Sequence, residues 1–324
     1  METQCSPLLQ AGAISSTQTS APPPQPRVNP STPPPPRVGT VWIVIPTYNE
    51  GENLARLIPM LEAQCLGTPI HILVVDDMSA DATESVVSGL LARYDNITLY
   101  RRPGKRGLGS ALREGLTLAL ADRECTHICT LDADFSHDPE ELPVLLSAAE
   151  RAAFVQGSRY IKGGRILNWP WRRRMLSWGI NRICQLLGGR LHEHTTNYRL
   201  YDRRAATEAI KARAAGGFEW VILASLAIQA SGLPMVEVPI TFREREIGTS
   251  KLGSLALMRY GPFVASLLIA MFASQLARLA TLPPHRAVRP SPEPVGPESN
   301  GPGTRVQFPA PGPASQGSPT RAGP

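Results

Sequence analysis

His127-Ile128-Cys129-Thr130-Leu131-Asp132-Ala133-Asp134 is an apolar run that stops at two carboxylates. Apolar residues without alternation are the pattern of a strand buried on both faces. The two acids then fall at the C-terminal edge of a sheet, where both cannot be core residues. Paired hard oxygen donors at such an edge suit Mg²⁺ or Mn²⁺, which typically bridges phosphates. The same residues also read as a polar strand-end turn, with His137-Asp138-Pro139 capping the next helix. An Asp-x-Asp spacing by itself does not choose between the two.

Working outward, the same grammar repeats. Val41–Ile45, Ile70–Val75, Ile97–Tyr100 and Phe154–Gly157 read as further short strands. Segments 53–64, 83–94, 108–121 and 139–150 read as the helices between them. Apolar strands alternating with helices predict an α/β fold, a mostly parallel sheet covered on both faces. Three strands end in polar sets: Pro46-Thr47-Tyr48-Asn49-Glu50, Asp76-Asp77-Met78-Ser79 and Asp132-Ala133-Asp134. Ligands of open α/β sheets lie beyond the carboxyl ends of the strands, so the three sets should share one crevice. A dinucleotide fingerprint is excluded. Gly107-Leu108-Gly109-Ser110-Ala111-Leu112 has Leu at the third glycine position and follows the third strand. No P-loop occurs.

Composition bounds the rest. Of 324 residues 32 are proline, and 22 of these fall in residues 1–38 and 283–324. Such ends cannot bury enough apolar surface to offset ordering entropy, and both are expected to be disordered. Five cysteines follow no metal or disulfide spacing, and no signal peptide is read at the N-terminus. The net charge is +6, with arginines concentrated at 151–174 and 199–213. Such clusters suit phosphates, anionic lipid or plain solvent; nucleic acid is not an expected partner. Residues 260–277 are uncharged. That is the lower limit for a spanning helix, and an apolar helix lying in a membrane interface is the preferred reading of 253–282. The expected organisation is a tail over 1–39, a catalytic domain over 40–252, that apolar segment, and a tail over 283–324.

The motif order resembles family 2 glycosyltransferases of GT-A fold: the Pro-Thr-Tyr-Asn-Glu turn, the Asp-Asp strand end, Gly104-Lys105-Arg106-Gly107-Leu108-Gly109 and Asp132-Ala133-Asp134. Gly157-Ser158-Arg159-Tyr160, Trp169-Pro170-Trp171-Arg172-Arg173, Tyr198-Arg199-Leu200-Tyr201 and Gly248-Thr249-Ser250-Lys251-Leu252-Gly253 further resemble dolichyl/polyprenyl-phosphate mannosyltransferases. The resemblance covers roughly 41–260. It implies transfer of mannose from GDP-mannose to a polyprenyl phosphate, with inversion, at the cytoplasmic face of a membrane. It also implies roles. Pro46, Tyr48, Glu50, Val75 and Asp77 would hold the nucleoside. Asp132, Ala133 and Asp134 would meet metal and diphosphate. Arg159, Arg173, Arg245 and Lys251 would bind donor or acceptor phosphates, and Arg199 is a further candidate for the acceptor phosphate.

A phosphate nucleophile is largely ionised near neutrality, since the second pKa of a phosphate monoester is about 6. No general base is then required; His137 and Glu219 are the available candidates. Two departures stand out. Thr196 fills a position that is often Gly in the family, and Ser136 stands where some relatives have Gln. The first keeps open transfer of glucose or N-acetylglucosamine, and a catalytically silent binding module is a further alternative.

Overall fold

The computed structural model describes residues 37–65, 67–212 and 216–244, together with 261–262, 265–266 and 269. The proline-rich ends apart from 37–39, and most of the apolar 253–282 segment, lie outside the described residues. Among those described, no helix is long and apolar enough to cross a membrane.

The predicted strands form and align. β1 (Thr40–Thr47), β2 (Ile70–Asp76), β3 (Ile97–Arg101), β4 (Cys125–Thr130) and β5 (Phe154–Ser158) alternate with α1 (Gly51–Gln64), α2 (Thr83–Leu91), α3 (Leu108–Ala121) and α4 (Leu142–Ala149). Then come β6 (Arg165–Leu167), α5 (Trp171–Leu186), β7 (Arg199–Asp202), α6 (Arg203–Ile210), α7 (Glu219–Ala230), β8 (Met235–Pro239) and β9 (Thr241–Arg243). One seven-stranded sheet has the order β3-β2-β1-β4-β7-β5-β8, and β6 pairs with β9 separately. Only β7 runs antiparallel to its neighbours β4 and β5. The sheet is therefore mixed but mostly parallel, and β1, β2, β4 and β5 end on one edge.

Both sheet faces are covered. Along β1, Val41, Ile43 and Ile45 face α1 and α4 residues such as Leu54, Leu57 and Leu145. Val44 faces the opposite layer, built from α3, α6 and α7. This is why the strands read as unbroken apolar runs instead of alternating ones. Helix α3 lies so close that a Cβ on Gly115 would stand 2.4 Å from Val44 Cγ1. The segment expected as one helix over 139–150 starts as a 3₁₀ turn at Pro139–Glu141, capped by Asp138 Oδ1 accepting from Glu140 N at 3.1 Å.

Candidate active site

The three polar strand ends come together because β2, β1 and β4 are neighbours in the sheet. Each turn contains a non-glycine residue with positive φ: Asn49 (54°), Met78 (59°) and Phe135 (57°). Asn tolerates this region, whereas Met and Phe there cost on the order of 1 kcal/mol or more. Strain of this kind persists only where surrounding contacts over-determine it, and it clusters at functional sites. Residue type gave no hint of it at Met78 and Phe135.

The contacts that hold the turns are explicit. Asn49 N donates to Ser79 Oγ at 2.7 Å, and Ala80 N donates to Asn49 Oδ1 at 2.9 Å. Asp76 accepts from Ser79 N at 3.1 Å. Asp77 spends both oxygens inside the protein: one accepts from Arg102, the other from Arg106 N (3.2 Å) and Gly107 N (3.0 Å). Asp77 thus shapes the 102–107 loop. Lys105 Nζ from that loop lies 3.6 Å from the centroid of the Tyr48 ring, closing the loop over the first turn. Glu50 Oε2 accepts from Asn53 at 2.6 Å, and Pro46 is half-buried beside Val75 in the β1–β2 register.

One reading of the site is narrowed and one is corrected. Val75 is fully buried, its side chain set against α3, so only its peptide can face a nucleoside. Arg199 is also fully buried and cannot reach an acceptor phosphate. Its guanidinium donates to the carbonyls of Thr196 (2.8 Å), Val221 (2.6 Å) and His194 (2.9 Å). An arginine so bound ties the 194–196 segment to α7 and serves the fold. Arg245 and Lys251 lie outside the described residues.

At the end of β4, Asp134 is buried and Asp132 is half-exposed. Asp132 Oδ1 accepts from Asn197 Nδ2 at 3.0 Å, and Asp134 Oδ1 accepts from Ser136 N at 3.1 Å. Asn197 reaches Asp132 because β7 runs antiparallel and begins where β4 ends; Thr130 Oγ1 fixes it by donating to Asn197 O at 2.8 Å. The second Asn197 side-chain atom, Oδ1, is buried without a partner among the described residues. Two carboxylates and a neutral amide oxygen make a hard donor set that fits Mg²⁺ or Mn²⁺. No cluster of three or more His, Cys, Asp or Glu side chains suited to a metal occurs among the described residues. A cation here would draw its other ligands from phosphate and water, as Mg²⁺ commonly does.

His137 supports this turn from beneath. Its Nδ1 accepts from Asp132 N at 3.2 Å, so Nε2 carries the proton and donates to Thr196 Oγ1 at 2.9 Å. Burial pushes its pKa down to about 4, outweighing the pull of Asp134. The imidazole is neutral, both nitrogens are engaged, and a 4.0 Å approach to Asp132 Oδ2 is no ion pair. His137 is therefore not a base waiting for substrate. Glu219 is likewise engaged, accepting from Gly217 N at 2.9 Å. Thr196 does not adopt positive φ, and its hydroxyl orients His137. The departure from Gly is thus accommodated locally.

Beyond β5, Arg159 is buried against Glu193. Nε donates to Oε2 at 2.8 Å and Nη2 to Oε1 at 3.0 Å, with further bonds to Ser177 Oγ (3.0 Å) and Thr195 Oγ1 (2.8 Å). Burial alone would lower the Arg159 pKa; Glu193 raises it instead, with smaller contributions from Tyr160 and Asp132. Burial alone would raise Glu193, and Arg159 holds it low. Both are charged. Trp169 and Phe242 rings stand 4.9 Å from the guanidinium carbon. Arg173 lies on the same Trp169 ring at 5.4 Å and pairs with Glu244 at 2.8 Å. Glu193 and Asn197 were not singled out from sequence as site residues; their partners lie tens of residues away, and no local pattern marks them.

Residues 42–215 match glycosyl transferase family 2, and the chain belongs to that family. It is 42% identical over 215 residues to the polyprenol monophosphomannose synthase of Mycolicibacterium smegmatis, covering 65% of this chain and 80% of that one. The undecaprenyl-phosphate mannosyltransferase of Micrococcus luteus is 36% identical over 217 residues, covering 65% and 87%. The dolichol-phosphate mannosyltransferase of Pyrococcus furiosus is 32% identical over 226 residues, covering 68% and 61%. The fold is GT-A. Mycobacterium tuberculosis glucosyl-3-phosphoglycerate synthase, crystallised with Mn²⁺, UDP and phosphoglyceric acid, superposes with a TM-score of 0.53 at 18% identity, covering 72% of this chain and 78% of that one.

Proposed function

We propose that this glycosyltransferase moves mannose from GDP-mannose to a polyprenyl (dolichyl-type) phosphate, with inversion at the anomeric carbon, at the cytoplasmic face of a membrane. The observation that carries the reading is the pairing of Asp132 and Asp134 with a buried, charge-balanced Arg159 at one sheet edge. The names of the three relatives supply the sugar and the lipid class.

The chemistry follows from these groups. A phosphate oxygen of the acceptor attacks the anomeric carbon while the bond from that carbon to the diphosphate oxygen breaks. The electron pair leaves with the nucleoside diphosphate. Asp132, Asp134 and Asn197 would hold Mg²⁺ or Mn²⁺, which supplies charge neutralisation for the leaving diphosphate. Tyr48, Glu50 and the loop shaped by Asp77 border the nucleoside, with the Val75 and Ala133 peptides behind. Arg173 gives a planar fork for phosphate, Arg159 adds its charge from the edge that Glu193 leaves open, and Arg245 and Lys251 are assigned to the same task. A pre-ionised nucleophile fits a site in which His137 is neutral and both its ring nitrogens are bonded.

Parallel incubations with GDP-mannose and UDP-glucose, each with Mn²⁺ and polyprenyl phosphate, test the reading. Mannose label in lipid is expected. Label from the uridine donor alone would replace it with the glucosyl alternative.

A further inference from the structure

Two buried polar atoms of opposite sense flank Arg173. Asn168, at φ 55°, turns the chain out of β6, and Trp169 follows it. The indole is fixed by its neighbours: the Phe242 ring at 5.1 Å and the guanidinium carbons of Arg159 and Arg173 at 4.9 and 5.4 Å. Glu244 directly follows β9, and its N donates to Leu167 O at 3.1 Å, which sets it beside the same turn. Glu244 Oε1 accepts from Arg173 Nη1 at 2.8 Å. The other carboxylate oxygen, Oε2, and the indole Nε1 are buried without a partner among the described residues. A buried donor or acceptor left unbonded is costly, and native structures keep few of them.

We infer that Trp169 Nε1 and Glu244 Oε2 together bind one hydroxyl of the transferred sugar, and so help set which sugar the enzyme accepts. Chemistry selects the ligand. An indole N–H only donates, and a carboxylate paired with arginine only accepts. A phosphate oxygen takes the indole proton but has none to give Glu244, and like charge repels it. An ammonium serves Glu244 and not the indole. A hydroxyl does both at once. Position selects which hydroxyl-bearing group. Along the sheet edge the nucleoside turns follow β2 and β1, the paired acids follow β4, and Arg159 follows β5. β9 lies against the turn after Asp134: Arg243 N donates to Ser136 O at 3.1 Å, and Phe242 pairs with His137. A donor laid along that edge from nucleoside to acids keeps its ribose at the β1–β2 end and carries its sugar on towards Trp169 and Glu244. A polyprenyl phosphate, a phosphate on a hydrocarbon, brings no neutral hydroxyl of its own. A site built to bond a hydroxyl rejects the analogue that lacks it, because its own polar atoms are then left unpaired. The placement of the sugar rests on the proposed donor site.

The test is a cycle between side chain and sugar on the full chain. kcat/KM is measured for GDP-mannose and for each of its monodeoxy forms, with Mn²⁺ and polyprenyl phosphate. Wild type should lose roughly tenfold or more with one deoxy donor. Trp169→Phe and Glu244→Gln should each lose a similar factor with GDP-mannose and almost nothing further with that deoxy donor. Trp169→Phe keeps a ring for the two guanidiniums, and Glu244→Gln keeps an oxygen for Arg173; melting temperatures check both, and either variant alone completes the cycle. Disturbance of Arg173 alone would weaken every donor by the same factor. Equal factors on every donor therefore overturn the inference, as does a wild type that transfers all the deoxy sugars as well as mannose. Transfer from UDP-glucose alone would overturn the proposed donor instead, and the same cycle with UDP-glucose and its monodeoxy forms then decides the hydroxyl contact.

Discussion

Asn197 donates its side-chain amide to Asp132 Oδ1 at 3.0 Å, joining the start of β7 to the first acid of the Asp-x-Asp pair. The bond depends on β7 running antiparallel to β4, with Thr130 opposite Arg199. Sequence neighbours cannot supply it, because 65 residues separate the partners. Asn197→Leu removes a charge-assisted bond of about 1.5–3 kcal/mol and an oxygen beside the carboxylates. The expected result is a raised Mn²⁺ requirement and a raised donor KM in an otherwise folded enzyme. Metal titration of steady-state transfer measures both; an unchanged Mn²⁺ midpoint would count against a role for Asn197.

Glu193→Ala leaves the Arg159 guanidinium buried without its carboxylate. Losing one member of a buried pair costs on the order of 3–5 kcal/mol. Glu193→Gln keeps the shape and some hydrogen bonds, so it should fold with a smaller loss and raise the KM for lipid acceptor more than that for donor. Urea melts and separate acceptor and donor titrations check the two parts. Equal effects on both substrates would place Glu193 in the scaffold alone.

Asp77→Ala frees the Arg106 and Gly107 amides and removes one partner of Arg102, which keeps Glu114 at 2.9 Å. The 102–107 loop should loosen, with Lys105 leaving the Tyr48 ring. Donor KM should rise by roughly tenfold, from a loss of about 1–2 kcal/mol. Nucleotide titration by tryptophan fluorescence reads this directly, and unaltered nucleotide affinity would remove the loop from the site.

Folding stability should fall as pH drops from about 6.5 towards 4. Burial, then the charge of Arg199, lowers the His194 pKa from 6.5 to about 4 against the opposing pull of Glu193. Below the unfolded pKa the unfolded chain takes up a proton that folded His194 refuses. The neutral form is therefore favoured by folding above that range, and stability is lost as pH falls through it. His127 is lowered in the same direction by burial. Urea midpoints across this window should slope, and His194→Gln should flatten the slope by up to one proton. An identical slope in the variant would show that His194 titrates normally.

Much of this architecture was legible in the chain. β1, β2 and β4 are apolar runs because both sheet faces are covered, and their polar ends lie side by side at one sheet edge. β7 was not legible. It has four residues, Arg199-Leu200-Tyr201-Asp202, with buried charges at both ends, and its partners come from the 194–196 carbonyls, α7 and α6. That is also why Arg199 read as a ligand for phosphate: an arginine saturated by backbone carbonyls looks the same in sequence as one awaiting an anion. Arg159 shares the ambiguity. Its partner Glu193 lies 34 residues on, outside any local pattern. Positive φ at Met78 and Phe135 runs against residue preference, and only the assembled turns impose it.

Asp132 and Asp134 are proposed to hold the donor diphosphate for mannose transfer to lipid. Mannolipid formation by full-chain Asp134→Ala, compared with wild type at saturating GDP-mannose, Mn²⁺ and polyprenyl phosphate, tests it most directly. The expected result is turnover reduced by roughly a hundredfold or more, several kcal/mol of lost transition-state stabilisation, with wild-type melting. Wild-type turnover in that variant would contradict the account.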